Sequence, residues 1–399
     1  MDIQKQIDSL SKGTVDVLPE NGLKEKLIKS QKTGMPLRVK LGIDASGPDI
    51  HLGFAIPLRK LRLFQDFGHT AVLIFGDFTG KIGDPTGKNK TRPQLTDEEV
   101  RRNLENYKEQ VFAILKEDRT EIRLNGEWSD ALKPTDIVKL TSKFTVARML
   151  ERDYFSDRYK SGTPISIHEF LYPLFQAYDS VAVKSDIELG GTDQKFNLLL
   201  GREIQESYGV EPQIIMTMPL LEGTDGVRKM SKSYGNYIAI TESPKEMFGK
   251  TMSIPDNLIV KYLTLATEMK VEDIKNIEDK LKAGENPRDY KVILAKEIIK
   301  MYHSKEAARE AGEEFNRIFK DKGLPDEIEE KMLDKSREYK LTILLKELNL
   351  VESSSEASRL IKQGGVKINQ TAVSDFNYIY KPVSGDILQI GKKRFVKII

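Results

Sequence analysis

The sequence predicts an α/β protein: a doubly wound, mostly parallel sheet within residues 1–242, a helical part over 243–332, and a small α+β tail over 339–399. Three observations carry this. Between residue 37 and about residue 240, short apolar runs alternate with stretches of helical spacing, as in a parallel sheet covered on both faces. From about Ser243 the texture turns helical and rich in Lys and Glu, punctuated by Pro255, Pro287 and Pro325. Beyond Lys340 it becomes two short helices followed by compact strand-like runs, Gly365–Ile368, Asp386–Ile390 and Phe395–Ile399.

The elements follow in order. Leu37–Ile43 is a strand closed by Asp44 and the turn-rich Ser46-Gly47-Pro48-Asp49, and Leu58, Leu61 and Phe64 mark one face of the helix after it. Ala71–Phe75 is apolar throughout, as a strand buried on both faces should be. Thr96 with Glu99 is a capping-box signature opening a helix to about Leu115. Glu121–Leu124, Ser185–Leu189 and Gln213–Met218 are the remaining strands, and Ser166 with Glu169 starts a helix at Ile167. In such a sheet, ligands sit beyond the carboxyl ends of the strands.

Composition bounds the function. Of 399 residues, 63 are Lys or Arg and 61 Asp or Glu, none is Cys, and the net charge is +2. Without Cys there are no disulfides, thiolate zinc sites or Cys nucleophile. No run of 18 apolar residues suggests a spanning helix, and the start, MDIQKQIDSL, lacks a signal-peptide pattern, so a cytoplasmic protein is expected with no membrane association. The four His (51, 69, 168, 303) show no metal-ligand spacing, and no protein-bound metal is expected.

Three constellations carry chemistry. Asp44 to Phe54 leaves a strand and enters a helix, whose free N–H groups suit a phosphate; within it His51 offers a hydrogen bond, and Gly53 lets a flat ring approach the backbone. Read alone, this is equally a surface histidine beside a turn. Lys229-Met230-Ser231-Lys232-Ser233 places two ammonium groups and two hydroxyls in five residues, suited to a loop over a triphosphate, though a lone Lys-rich loop is more often merely solvated. Tyr172, Gln176 and Asp179, spaced i, i+4, i+7, share one face of an otherwise apolar helix. A polar stripe there needs something to bind, or else forms a structural hydrogen-bond network.

His51-Leu52-Gly53-Phe54 resembles the HIGH signature of class I aminoacyl-tRNA synthetases, and Lys229–Ser233 reads as their KMSKS signature. The intervening runs Gly76–Gly80, Gly83–Lys88, Thr145–Leu150, Phe170–Asp179 and Glu188–Gln194 resemble the bacterial tyrosyl branch of that family, and the likeness spans essentially the whole chain. The resemblance implies a Rossmann-like catalytic domain that joins L-tyrosine to ATP, with Mg²⁺ on the ATP phosphates, and passes tyrosine to tRNA(Tyr). It implies tyrosine contacts at Asp84, Tyr172, Gln176, Gln194 and Leu41, with Asp179 accepting the phenolic hydroxyl. The nucleotide would meet Asp44, Ser46, Gly53, Phe54, Gly191, Asp193 and Lys232. His51, Lys229, Ser231, Lys232 and Ser233 would stabilise developing charge. It further implies a homodimer formed through an insertion at about 125–180, where Phe144, Val146, Met149, Leu150 and Phe155 offer apolar surface.

Three positions depart from the family's pattern: Phe54 stands where a second His is usual, Ala45 where Pro is common, and Lys40 where one branch has a Tyr touching the phenol. Two alternatives stay open: a ligase for another amino acid such as tryptophan, and a catalytically weakened RNA-binding paralogue. The tail, Ser355–Ile368, resembles the small S-four-like RNA-binding fold, which would place Arg359, Lys362 and Lys367 against phosphates of tRNA. Charge distribution fits: from Lys340 to Ile399 there are ten Lys or Arg against five Asp or Glu, so near-neutrality conceals a basic tail.

Overall fold

The structure is a computed structural model and describes residues 2–43, 49–83, 96–319, 328–391 and 394–399, except the side chains at 97, 100, 101 and 319. It divides into two compact units, 1–304 and 305–399.

Unit one is built on a six-stranded sheet: β1 (Asp16–Leu18), β2 (Arg38–Ile43), β3 (Thr70–Phe75), β4 (Thr120–Leu124), β5 (Ile187–Gly191) and β6 (Ile214–Met218), in the spatial order β1-β6-β5-β2-β3-β4. Strands β2 to β6 pair in parallel, as the alternation of strands and helices predicts. The exception is β1, antiparallel against β6 at the edge, and three residues are too few to show a periodic signal. Chain order runs outward from β2 to β4 on one side and from β5 to β6 on the other. The sheet therefore reverses its winding between β2 and β5, where a crevice opens beyond the strand ends. Val39, Leu41, Ala71, Val72, Leu73, Ile74 and Phe75 are at most 2% exposed, so the central strands are covered on both faces.

Four helices position the site: α1 (Leu52–Asp66), α2 (Asp97–Phe112), α3 (Ile167–Ala182) and α4 (Lys195–Ser207). Each of the two expected capping signatures sits at a helix start. Thr96 N–H donates to Glu99 Oε2 at 2.9 Å while Glu99 N–H donates to Thr96 Oγ at 3.3 Å. Ser166 N–H donates to Glu169 Oε1 at 2.9 Å, and the buried Arg158 holds the other oxygen of Glu169 at 2.5 Å. The remainder of unit one is helical from Pro244 to Tyr302. Of the apolar candidates between Phe144 and Phe155, Met149 and Phe155 are only 3% and 0% exposed, so they pack within the chain rather than on its surface. Their side chains close over α3 and its neighbours, Phe155 against Phe170 with ring centroids 4.7 Å apart. The outer apolar groups of this region are Val138, Val146, Tyr159 and Ile167.

Unit two begins with a helix over Lys305–Phe319 and contains the two tail helices, Leu341–Glu347 and Ser354–Lys362. These pack on a five-stranded sheet whose parallel edge strand is Glu329–Lys331, beside Arg394–Ile398. Its core gathers Leu341, Leu345, Ile361, Val366, Leu388, Val396 and Ile398.

Candidate active site

The strand ends around the β2–β5 crevice enclose a cavity of about 270 Å³. Leu41, His51, Gly53, Phe54, Tyr172, Gln176, Asp179, Gly191, Asp193, Gln194, Lys229, Ser231, Lys232 and Ser233 all line it. Residues up to 192 positions apart in the chain, first singled out as separate motifs, thus meet in one place. Asp44, Ser46 and Asp84 lie outside the described residues.

The buried end is a hydrogen-bonded cage. Asp179, on α3, is 3% exposed and Tyr172, two turns earlier, is 6% exposed. Asp179 Oδ1 accepts from the Trp128 indole N–H at 2.8 Å, and Oδ2 from Asn125 Nδ2 at 3.4 Å. Burial pushes the Asp179 carboxyl up to about 7, against the pull of Lys40 and these two donors. Its ionised form has little solvation, so a hydroxyl reaching it gains a strong acceptor. Neither donor belongs to one of the sequence motifs. Asn125 follows β4, and its side-chain oxygen accepts from Phe78 N–H at 3.0 Å while its amide donates to Thr79 Oγ at 2.9 Å, pinning the Gly76–Gly80 run. The position of Asn125 at a strand's carboxyl end was the available signal for it; Trp128, as the sole Trp, was the other.

Along the wall, Asn197 on α4 spends both amide hydrogens on Gln176 Oε1 at 2.9 Å and Gln194 Oε1 at 2.8 Å. One buried amide therefore orients two glutamines that face the cavity. Gly191 lets Asp193 and Leu220 close in: a Cβ there would lie 2.6 Å from Asp193 Oδ1 and 2.8 Å from Leu220 Cδ2, so both side chains would have to shift.

The open end is charged. His51 caps α1 in place of the usual Ser or Asp, its Nδ1 accepting the Phe54 N–H at 3.2 Å. That bond assigns the ring proton to Nε2. Burial, with Lys232 and Lys229 nearby, depresses the imidazole to about 4, so at neutral pH it is an uncharged donor. Lys229 Nζ lies 2.5 Å from Asp193 Oδ2. Lys232 donates to the hydroxyl of Tyr107 on α2 and stands 4.9 Å from its ring centroid. Met230, between the two lysines, is 4% exposed and accepts the Gly53 N–H on sulfur at 3.4 Å, fastening the lysine segment to the start of α1. This end offers two ammonium groups, hydroxyls and a neutral imidazole to a polyanion; the other offers a buried acceptor to a hydroxyl. Among the described residues, no group of three or more His, Cys, Asp or Glu is placed to hold a metal ion.

In unit two, Arg359 and Lys362 are exposed on the helix Ser354–Lys362, and Lys367 is half-buried on the following strand. The Lys362 ammonium stands 4.7 Å from the Phe376 ring centroid.

The family model for class I tRNA synthetases (W and Y) matches residues 32–320, and the model for the S4 domain matches 340–388. The tyrosine–tRNA ligase of Carboxydothermus hydrogenoformans is 54% identical, over 100% of this chain and 98% of the relative. That of Thermotoga maritima is 53% identical, over 99% of this chain and 97% of the relative. In fold, the chain is similar to the L-tyrosine complex of tyrosyl-tRNA synthetase from Archaeoglobus fulgidus, with a TM-score of 0.63 at 23% identity, covering 78% of this chain and 100% of that one. A parallel sheet with its cavity at the winding reversal, both signature segments in that cavity, and relatives matched along their full length lead to one conclusion: the chain belongs to the class I tRNA synthetases of the tryptophan and tyrosine group and carries an S4 domain.

Proposed function

We propose that this chain is a tyrosine–tRNA ligase: it activates L-tyrosine with ATP and transfers the tyrosyl group to the 3′ end of tRNA(Tyr). The observation that carries the assignment of tyrosine is the buried Asp179 carboxylate on the same helix face as Tyr172 and Gln176, at the closed end of a cavity whose open end is cationic. The phenolic hydroxyl donates to Asp179, while Tyr172 and Gln176, with Asp84, receive the α-ammonium group. An indole would present its N–H from a different position, which disfavours tryptophan.

In the first step a carboxylate oxygen of tyrosine attacks the α-phosphorus in line. The bond to the bridging oxygen breaks and pyrophosphate leaves. Lys229, Lys232 and the His51 Nε2–H stabilise the charge that builds on the phosphates, with Ser231 and Ser233 as further donors. Mg²⁺ arrives with ATP as part of the substrate. Asp193 and Gly191 face the ribose, so Lys229 exchanges Asp193 for phosphate when the nucleotide enters. In the second step a hydroxyl of the terminal adenosine of tRNA attacks the tyrosyl carbonyl and AMP departs. Positioning and charge stabilisation suffice, and no covalent enzyme intermediate forms.

ATP–pyrophosphate exchange dependent on L-tyrosine tests this reading, and no exchange with any amino acid would leave the RNA-binding paralogue. Two parts of the reading have their own tests. The basic face of the tail binds tRNA, so Arg359→Glu with Lys362→Glu should depress tRNA charging and spare exchange. A homodimer formed through Val138, Val146, Tyr159 and Ile167, which are 63–80% exposed, is checked by sedimentation; a monomer at micromolar concentration would refute it. No helix among the described residues is long and apolar enough to cross a membrane, and the chain is proposed to work in the cytoplasm.

A further inference from the structure

Lys40 has no task in this scheme, yet it has no exposed surface at all. It sits within β2 and does not line the cavity. An interior ammonium is costly unless paired and fully hydrogen-bonded. Here each of its three hydrogens has an acceptor: Glu188 Oε1 at 2.8 Å, Ser180 Oγ at 2.8 Å and the Gln176 carbonyl at 3.0 Å. Sheet register creates the pair, since Lys40 and Glu188 are direct partners in β2 and β5 and so share a face. The other Glu188 oxygen accepts from the Ser180 hydroxyl at 3.2 Å and from the Gln213 amide.

Stability does not account for this arrangement, because buried ion pairs can usually be replaced by apolar groups without loss. What the pair holds is more telling. Gln176 and Ser180 are i and i+4 on α3, and between them stands Asp179, whose neighbour Ser180 is bound by both charges. We infer that Lys40 is a positioning residue for tyrosine selection: with Glu188 it fastens the Gln176–Ser180 turn, and the acceptor Asp179 within it, to the sheet. The inference rests on Asp179 being the acceptor of the phenol.

The surroundings of Asp179 support it. Burial raises the carboxyl; Lys40 on β2 lowers it and Glu188 on β5 raises it, whereas Trp128 and Asn125, from the segment after β4, are neutral donors.

The test is tyrosine- and phenylalanine-dependent pyrophosphate exchange as a function of pH in the full-length protein. In Lys40→Met, kcat/KM for tyrosine at pH 7 should fall about tenfold or more, chiefly through KM, and its acid limb should move to higher pH. The value for phenylalanine should fall less, because it loses only the placement of Gln176 and has no phenol to present to Asp179. In Lys40→Met with Glu188→Gln, both charges are gone, so the limb should return toward its original place while KM stays high. Ser180→Ala, which removes one anchor and no charge, should raise the tyrosine KM a few-fold and leave the limb unmoved. Should Lys40→Met fail to fold, the other two variants decide: an unaltered tyrosine KM in both, with parental melting, overturns the inference. Loss of tyrosine-dependent exchange in the parent, or an unchanged tyrosine-to-phenylalanine ratio in Asp179→Ala, would instead bring down the functional reading beneath it.

Discussion

At the closed end of the cavity Asp179, Glu188 and Tyr172 are 3%, 1% and 6% exposed, whereas at the open end the Lys229 and Asp193 side chains are 36% and 20% exposed. Directional bonds tie this end together across elements: Trp128 to Asp179, Asn197 to Gln176 and Gln194, Lys40 to Glu188. At the open end, by contrast, the cations rest on partners a phosphate can replace: Lys229 pairs with the partly exposed Asp193, and Lys232 donates to the hydroxyl of Tyr107. A preorganised cage discriminates, because a substrate lacking the right donor leaves a buried acceptor unpaired. Exposed pairs contribute little to stability and are easily exchanged, so a phosphate can displace them at small cost. One end is therefore built to select and the other to close over the nucleotide.

The largest expected effect breaks the selective end. Asp179→Ala should abolish preference for tyrosine over phenylalanine while exchange with phenylalanine persists. Sites that hydrogen-bond a substrate hydroxyl reject the analogue by roughly 10⁴–10⁵, a range established for tyrosyl-tRNA synthetases themselves rather than obtained from this structure. Competition kinetics between the two amino acids measure it, and a preserved ratio removes Asp179 from the role. The charge on this group has a second signature. With the carboxyl raised to about 7, it is protonated below that pH and accepts the phenol less well. The kcat/KM for tyrosine should therefore fall as pH drops through 7, and Asp179→Asn should erase that limb.

Next in size is the open end. Removing a preorganised donor typically costs about 10²–10³ in rate, so Lys229→Ala and Lys232→Ala should each slow adenylate formation by that order. KM for tyrosine should stay put. Single-turnover kinetics separate the two quantities; a raised tyrosine KM with unchanged rate would mean the lysines serve the wrong end. His51, depressed to about 4, stays neutral throughout pH 5–8 and should add no limb there, so the profile of kcat/KM for ATP lacks the step that tyrosine shows.

The sheet, the helix starts and both lysine-bearing and histidine-bearing segments were legible in the sequence because each has a local cause. Apolar runs such as Ala71–Phe75 reflect burial on two faces, and Thr96 with Glu99 or Ser166 with Glu169 are complete within four residues. What stayed hidden was set by distant pairing. Asn125 and Trp128 gain meaning only when β4 lies beside β3 and brings them to Asp179, and β1 forms only against β6. Lys40 is the sharpest case: its strand reads as an apolar run broken by two basic residues, Arg38 and Lys40, and only the register with β5 supplies Glu188. The apolar residues at Met149 and Phe155 misled in the other direction, since apolar character alone does not reveal whether a side chain meets solvent or its own chain.

The smallest expected effect tests whether the two ends are independent. Phe54 lines the cavity where the family pattern has a second His, and its backbone N–H already serves as the donor that fixes the tautomer of His51. Phe54→His keeps that backbone bond and adds one ring donor beside the nucleotide. A single neutral hydrogen bond contributes about 0.5–1.5 kcal/mol, so the rate of activation at fixed ATP should rise a few-fold to about tenfold. The tyrosine-to-phenylalanine ratio and the acid limb near pH 7 should not move, because the hydrogen bonds to Asp179 come from Trp128 and Asn125 rather than from this position. A gain in rate with unchanged selection would establish that charge stabilisation and recognition are separable along this cavity. A change in selection would show instead that the start of α1 communicates with α3 through the sheet between them, and that the division into a selecting and a closing end is too simple.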